Sequence, residues 1–496
     1  VSTTTIEKPA KAASGVEQHD VAAVNSAAGR TLYKKREPIY PKLVHGKFRA
    51  LKWFVLCATL GVYYLLPWVR WPRGPGEPDQ AVLVDFAGRR FYFFFIEIWP
   101  DELYFLTGLL ILAALGLFLA TALFGRIWCG YACPQTVWTD LYIAVERMIE
   151  GDRNKRMRLD KAPWSAEKIG KKVSKHALWL VIAALTGGAW IFYFHDAPTV
   201  LPEIFRGEAP PSAYLFIGVL TFTTYMLAGS MREQVCTYMC PWPRIQAALT
   251  DNETLEVTYK YDRGEPRGAH KKNESWEGRG DCIDCKACVA ACPMGIDIRE
   301  GAQLECINCA LCIDACDDIM KKVGRPTGLI GYDTDKNIER RVAGKKPSIS
   351  LVRARTILYA ALIVVVGGMI AFGLSSRATL EVNVLRDRTP PYVMLSDGSV
   401  RNAYTVKLVN KNTLARDFRI TVDGPEGLEV SAVGEEAAGN SVTVTAEGDA
   451  VRSVRLFVTL SPSELMGAEE QLMITVEDVE GGETAKNPTG FMTGAR

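Results

Sequence analysis

The chain has 496 residues, 48% of them hydrophobic, and a formal charge of only +2 at pH 7. So even a balance excludes a nucleic-acid-binding protein, which needs a basic face for phosphates. None of the 13 cysteines lies beyond Cys316, which excludes a disulfide framework spread along the chain.

In chain order, residues 1–30 are polar and rich in Ala and Ser. They lack the apolar stretch of a cleavable signal and are expected to form a disordered tail. Residues 31–250 read as a membrane domain with four spans, at 50–69, 103–125, 177–196 and 212–231. A fifth span is expected at 354–374, within the 351–375 segment. The third, "ALWLVIAALTGGAWIFYF", and the fifth, "TILYAALIVVVGGMIAFGL", are the plainest, while the first begins at a snorkelling Lys52. Trp53, Trp68, Trp128, Trp179 and Trp190 fall near span ends, as interfacial anchors do. Between the first two spans, "FAGRRFYFFFIEIW" reads as an interfacial amphipathic segment.

Lys and Arg crowd the segment before the first span and the 126–176 loop, whereas the 197–211 loop holds only Arg206. The positive-inside rule then puts the N-terminus, the 126–176 loop and residues 232–353 in the cytoplasm of a bacterial inner membrane. Four arginines in the 70–102 loop run against this without reversing it. Five spans leave the C-terminal domain in the periplasm. Beyond residue 376 the chain turns to short, alternating, β-branched runs such as "YTVKLVN", "NSVTVTAEG" and "VRSVRLFVTLSP". Their spacing is that of an immunoglobulin-like β-sandwich over 376–496. The expected fold is a multi-domain membrane protein. It has an α-helical transmembrane bundle of five spans, a two-cluster ferredoxin-like cytoplasmic domain over 251–350, and the C-terminal sandwich.

The ferredoxin expectation rests on "CIDCKACVAACPMGIDIREGAQLECINCALCIDAC", which holds C-x2-C-x2-C-x3-C twice. Three thiolates of one tight run and one from a distant turn enclose a [4Fe-4S] cubane, and in two-cluster ferredoxins the last cysteine of each run serves the other cluster. The expected ligand sets are Cys282, Cys285, Cys288 and Cys316 for one cluster, and Cys306, Cys309, Cys312 and Cys292 for the other. Asp317 stands where a second proline would be, so the second turn is expected to differ in shape. The competing zinc knuckle would use C-x2-C pairs alone.

A second constellation is repeated. "CGYACPQTVW" at Cys129 and Cys133, and "CTYMCPWPRIQ" at Cys236 and Cys240, both read C-x-Y-x-C-P and both follow a span running from outside to inside. Arg126 and Arg232 precede them by three or four residues. Helical spacing would put each pair on one face, with the prolines ending the helices. The four thiols then form one soft metal site, for copper or for a further iron–sulfur centre. The plain alternative is that they are small apolar packing residues. Met226, Met231 and Met239 are further thioether candidates, more simply read as packing residues. Cys57 reads as packing too, and His19, His45, His176, His195 and His270 form no haem-like pair within a span.

In this order, the basic N-terminus, "CGYACPQTVWTDL", "CTYMCPWPRIQ", "CPMGIDIR", "ECINCALCIDACD" and the sandwich resemble the CcoG family of cytochrome oxidase accessory proteins, also called RdxA or FixG. The paired C-x3-C-P motifs are shared with the wider NapH and NosR group. The resemblance covers nearly the whole chain from about residue 30. It implies reduction of Cu(II) to Cu(I) for copper delivery in assembly of the cbb3-type oxidase, with copper chaperones or assembly factors as partners. Cys129, Cys133, Cys236 and Cys240 would be its copper site. The alternative is an electron relay or assembly platform without catalysis of its own. With no dinucleotide or flavin motif, the electron donor is an outside quinol or a soluble protein.

Overall fold

The computed structural model describes residues 16–25, 37–74, 77–271, 274–412, 414–435, 437–461 and 469–493. The chain divides into two compact units, Val1–Ile370 and Ala371–Arg496.

In the first unit, four helices among the described residues are long and apolar enough to cross a membrane: Lys47–Trp68, Pro100–Phe124, Pro211–Met231 and Ala354–Ser375. They carry the first, second, fourth and fifth expected spans. The third falls in the Ala166–Ile191 helix, whose opening "AEKIGKKVSK" is cationic and whose apolar end is diluted by Thr186, Gly187 and Gly188. These small residues have a packing role. A Cβ on Gly187 would lie 2.7 Å from the Ile217 carbonyl oxygen and 3.0 Å from Thr221 Oγ1, so the Ala166–Ile191 and Pro211–Thr224 helices meet backbone to backbone there. Gly187→Val is therefore expected to push the two helices apart at a cost of about 1–3 kcal/mol. A lowered thermal midpoint of the detergent-solubilised protein checks this, with Gly188→Val, which has open space, as the neutral control.

Two local expectations are corrected. The 86–99 segment, expected as an interfacial amphipathic segment, takes strand form. It belongs to a three-stranded antiparallel sheet of Val82–Asp85, Arg90–Phe93 and Ile96–Ile98. Positive φ at Arg89 and Phe94 makes its turns. The expected tail is docked over residues 16–25: Val16 is buried in the ferredoxin core, His19 N–H donates to the Cys285 carbonyl, and Asn25 Nδ2 donates to the Met294 carbonyl at 2.7 Å. Residues 1–15 and 26–30 lie outside the described residues.

The ferredoxin segment is built around one strand pair, Glu256–Tyr259 with Ile330–Asp333, and two helices, Ala287–Ala291 and Leu311–Lys322. The second unit is a sandwich of two five-stranded sheets. Val400–Asn410 and Ala450–Leu460 pair antiparallel at the centre of one sheet, and Arg416–Asp423 lies between Ser441–Ala446 and Glu469–Asp478 in the other. Tyr404, Leu408, Phe418, Ile420, Leu456, Ile474 and Phe491 fill the space between the sheets. With no cysteine after Cys316, apolar packing holds them together, helped by hydrogen bonds from Tyr404 to the Gly490 carbonyl and from Asn402 to the Met492 carbonyl, each 2.9 Å.

Candidate metal centres

The runs CIDCKAC and CINCALC adopt one backbone. Asp284 and Lys286 in the first, and Asn308 and Ala310 in the second, all have φ between 51° and 61°. Left-handed residues at matching positions curl each loop, and Asp and Asn tolerate that region better than most. Backbone N–H groups turn toward the sulfurs: that of Ala287 toward Cys285, that of Asn308 toward Cys306, and those of Met294, Gly295 and Ile296 toward Cys292. The runs part after the fourth cysteine. Cys292 is extended before Pro293, whereas the Leu311–Lys322 helix continues through Cys316 and Asp317.

Two cavities result. One is lined by Cys282, Cys285, Cys288 and Cys316, with Ile283, Ile319 and Arg299 around them. The other is lined by Cys292, Cys306, Cys309 and Cys312, with Cys288 at its edge and Ile296, Ile298 and Ile307 around it. Burial pushes Cys292 up to about 11 and Cys306 up to about 12, and drives Cys288, Cys312 and Cys316 higher still. An apolar cage of thiols fits a bound iron cluster, whose positive irons replace the protons the buried sulfurs otherwise keep. Arg299, paired with Asp297 and Asp284, adds positive charge at the first cavity.

The two C-x3-C-P motifs share their own geometry. Each preceding span stops at a residue with positive φ four positions before the first cysteine: Gly125 (φ 57°) before Cys129 and Arg232 (φ 43°) before Cys236. A short helical piece then carries the first cysteine, Ile127–Tyr131 in one copy and the π-helical Val235–Met239 in the other. The second cysteine is extended in both. This corrects the expectation of two thiols on one helical face with proline as the stop. Each proline instead opens the next helix, Pro134–Glu150 or Trp242–Leu249, because its fixed φ and missing N–H suit a first turn and force the residue before it out of the helical region.

Cys129 and Cys236 nevertheless come together in one buried cluster, with Cys133 and Cys240 within electrostatic reach. Cys129 responds to the charges of Cys133 and Cys240, and Cys236 to those of all three others. Burial pushes Cys129 up to about 11 and Cys236 up to about 12. Among the described residues no three cysteine sulfurs lie within 4.8 Å of one another, a spacing wider than the roughly 3.8 Å of a tetrahedral single-ion cage with 2.3 Å bonds. The ferredoxin cysteines share that wider spacing.

The thiols also sit against the second ferredoxin loop. Cys129 and Cys236 belong to one buried cluster with Cys292, Cys306 and Cys309. A Cβ on Gly130 would lie 2.5 Å from the Ile307 carbonyl oxygen and 3.0 Å from Cys309 Cα, so only glycine lets the two backbones meet. Arg126 fixes the junction: Nε donates to Gln246 Oε1 at 3.1 Å, and Nη1 donates to the Leu304 carbonyl. Its charge acts on Cys129, Cys236 and Cys306 together. Gln246 Oε1 also accepts from Cys129 Sγ at 3.3 Å. Arg126 was visible in the sequence as a residue ahead of the motif. Gly130, Gln246 and Met294 lie within the quoted motifs, but their roles were not legible because those exist only where distant segments touch. Of the other candidates, Met239 and Cys57 are exposed, His176 meets Tyr225, and His270 stacks on Trp276.

Comparison with known proteins agrees with this layout. Residues 106–150 match a 4Fe-4S binding domain, 231–335 a 4Fe-4S dicluster domain, and 370–494 the IG-like fold at the C-terminal of FixG. Nitrogen fixation protein FixG of Rhizobium meliloti is 50% identical over 489 residues, covering 92% of this chain and 93% of its own. Protein RdxA of Cereibacter sphaeroides is 53% identical over 468 residues, covering 93% and 98%. Protein RdxB of the same organism is 52% identical over 467 residues, covering 93% and 97%. With membrane-length helices, two ferredoxin loops and the terminal sandwich in one chain, this protein belongs to the FixG/RdxA family of membrane iron–sulfur proteins.

Proposed function

We propose that the protein is an oxidoreductase of the bacterial inner membrane that reduces Cu(II) to Cu(I) for copper delivery during assembly of a cbb3-type oxidase. The observation that carries this reading is the seating of Cys129–Gly130 on the Ile307–Cys309 backbone, which puts a soft thiol site beside a ferredoxin cage. Cys282, Cys285, Cys288 and Cys316 hold one [4Fe-4S] cluster, and Cys306, Cys309, Cys312 and Cys292 hold the other. The clusters supply electrons one at a time. Cys129, Cys133, Cys236 and Cys240 receive copper as substrate. Thiolates stabilise Cu(I) over Cu(II), which draws the one-electron reduction forward. Arg126 holds both sides of the junction in register through Gln246 and Leu304. Copper chaperones or oxidase assembly factors are the partners that take Cu(I) away.

The test is anaerobic: dithionite-reduced protein, freed of excess reductant, is mixed with Cu(II) and a Cu(I)-specific chromogenic chelator. Chelated Cu(I) appearing as the iron–sulfur absorbance returns supports the reading. Clusters that stay reduced leave the protein as an electron relay or assembly platform. The wide sulfur spacing and the 4Fe-4S match over 106–150 favour a second reading of the thiols, a third iron–sulfur centre. About twelve irons per chain rather than about eight distinguishes it.

The reading includes five spans, with the N-terminus and the ferredoxin cages cytoplasmic and the sandwich periplasmic. Alkaline phosphatase fused after Arg496 is expected to be active, and fused near Lys161 inactive. The reverse pattern overturns the orientation.

A further inference from the structure

The cages need a reductant, and one feature of the first unit has no part in the junction above. A polar cleft of about 380 Å³ is lined by Glu146, Glu150, Lys175, His176, Trp179 and Arg232, among others. It adjoins a second, apolar groove of about 600 Å³ along the Ala166–Ile191 helix, lined by Trp164, Ile169, Val173, Ala177, Leu180 and Tyr225. The two share Lys172 and His176. At their meeting point His176 Nδ1 and the Tyr225 hydroxyl lie 2.8 Å apart in a hydrogen bond.

We propose that this pair of clefts is the entry site for a membrane quinol, its ring in the polar cleft and its isoprenoid tail in the apolar groove. Three observations select this occupant. An apolar channel leading to a polar chamber fits a molecule with a hydrocarbon tail and a small polar head. Every lysine and arginine of the cleft is already paired with a carboxylate, four cations against three acids. Glu146 is paired with Arg156, Lys175 and Arg232, Glu150 with Lys172 and Lys175, and Asp160 with Lys172. A head that needs no cation of its own, as a quinol ring does not, is therefore accommodated. Finally, the cleft lies one residue from the redox junction: Arg232 lines it and also lines the next cavity, whose wall includes Cys236, Pro293 and Met294.

The chemistry balances as an oxidation of quinol to quinone. Two O–H bonds break. Both protons leave in turn through the exposed His176 imidazole, hydrogen-bonded to Tyr225, and pass from it to water. Two electrons leave the ring singly for the iron–sulfur clusters bound by the cysteine cages. The inference rests on those cages being loaded with iron and not on copper being the acceptor.

The test uses full-length, iron-loaded protein in lipid nanodiscs, oxidised and anaerobic, mixed with decylubiquinol or menadiol. Bleaching of the iron–sulfur absorbance and the paramagnetic signal of reduced clusters are followed in wild type, Tyr225→Phe and His176→Gln. Wild-type clusters are expected to be reduced. Each variant, which loses one partner of the hydrogen-bonded pair, is expected to be reduced at least about tenfold more slowly. Dithionite should reduce all three to the same extent, which separates loss of quinol access from loss of fold or iron. Wild-type clusters untouched by either quinol overturn the proposal. Equal quinol rates in wild type and in a variant that dithionite reduces fully also overturn it. Neither result bears on copper reduction by dithionite-reduced protein, so the two readings fail independently.

Discussion

Replacing Cys292 by alanine is expected to destroy the cluster whose other ligands begin at Cys306, and to spare the one nearest in sequence. Cys292 lines the cavity of Cys306, Cys309 and Cys312, not that of Cys282, Cys285 and Cys316. Its sulfur faces the N–H groups of Met294, Gly295 and Ile296, so the turn after Pro293 is shaped around it. A cubane left with three thiolates loses a corner and becomes labile. Iron should fall from about eight to about four per chain, and one of two paramagnetic signals should vanish. Cys316→Ala should remove the other. Signals exchanged between the two variants would mean that each run serves its own cluster. Cys288, a ligand in the first cavity that also lines the second, is the position where one substitution should disturb both signals.

The double change Cys129→Ser and Cys236→Ser is expected to abolish copper binding and Cu(II) reduction while leaving ferredoxin iron in place. These two are the thiols buried against the second ferredoxin loop, and burial holds each well above the ordinary thiol range, at about 11 and about 12. The sign of the pH effect follows. Both are protonated at neutral pH, so binding a soft ion releases a proton from each, and wild-type copper affinity should rise about tenfold per pH unit for each thiolate engaged. Serine is a hard, far weaker acid and supplies no soft ligand. Copper bound per chain, the reduction rate and its pH slope are the measurements. Unchanged copper stoichiometry and rate would return the four cysteines to packing. A loss of about four irons alongside the copper would identify them as ligands of a further cluster.

The doubled ferredoxin register, the repeated C-x3-C-P motif, the four membrane-length helices of the described residues and the alternating strands after residue 376 were all legible in the sequence. Each is a local pattern: ligand spacing is set by a loop of a few residues, apolar length by one helix, and alternation by one strand. Local spacing failed where neighbours decide. The pairs at Cys129 and Cys236 looked like helical faces, but chain reversals at Gly125 and Arg232, with prolines that open the next helix, leave the first cysteine on a short helical piece and the second extended. The Ala166–Ile191 helix owes its diluted apolarity to glycines that its neighbour needs for close approach. The tail at 16–25 is ordered because Val16 fills a hole in the ferredoxin core.

By itself, then, the sequence determined the inventory: which residues can ligate, how many cages there are, and what family the chain resembles. Only the tertiary structure decided which cage meets which thiols. That meeting depends on Gly130 lying against Ile307 and on Arg126 bridging Gln246 and Leu304, segments more than a hundred residues apart. No spacing rule records such contacts, because they arise from the absence of a Cβ and the reach of one guanidinium once the helices have packed.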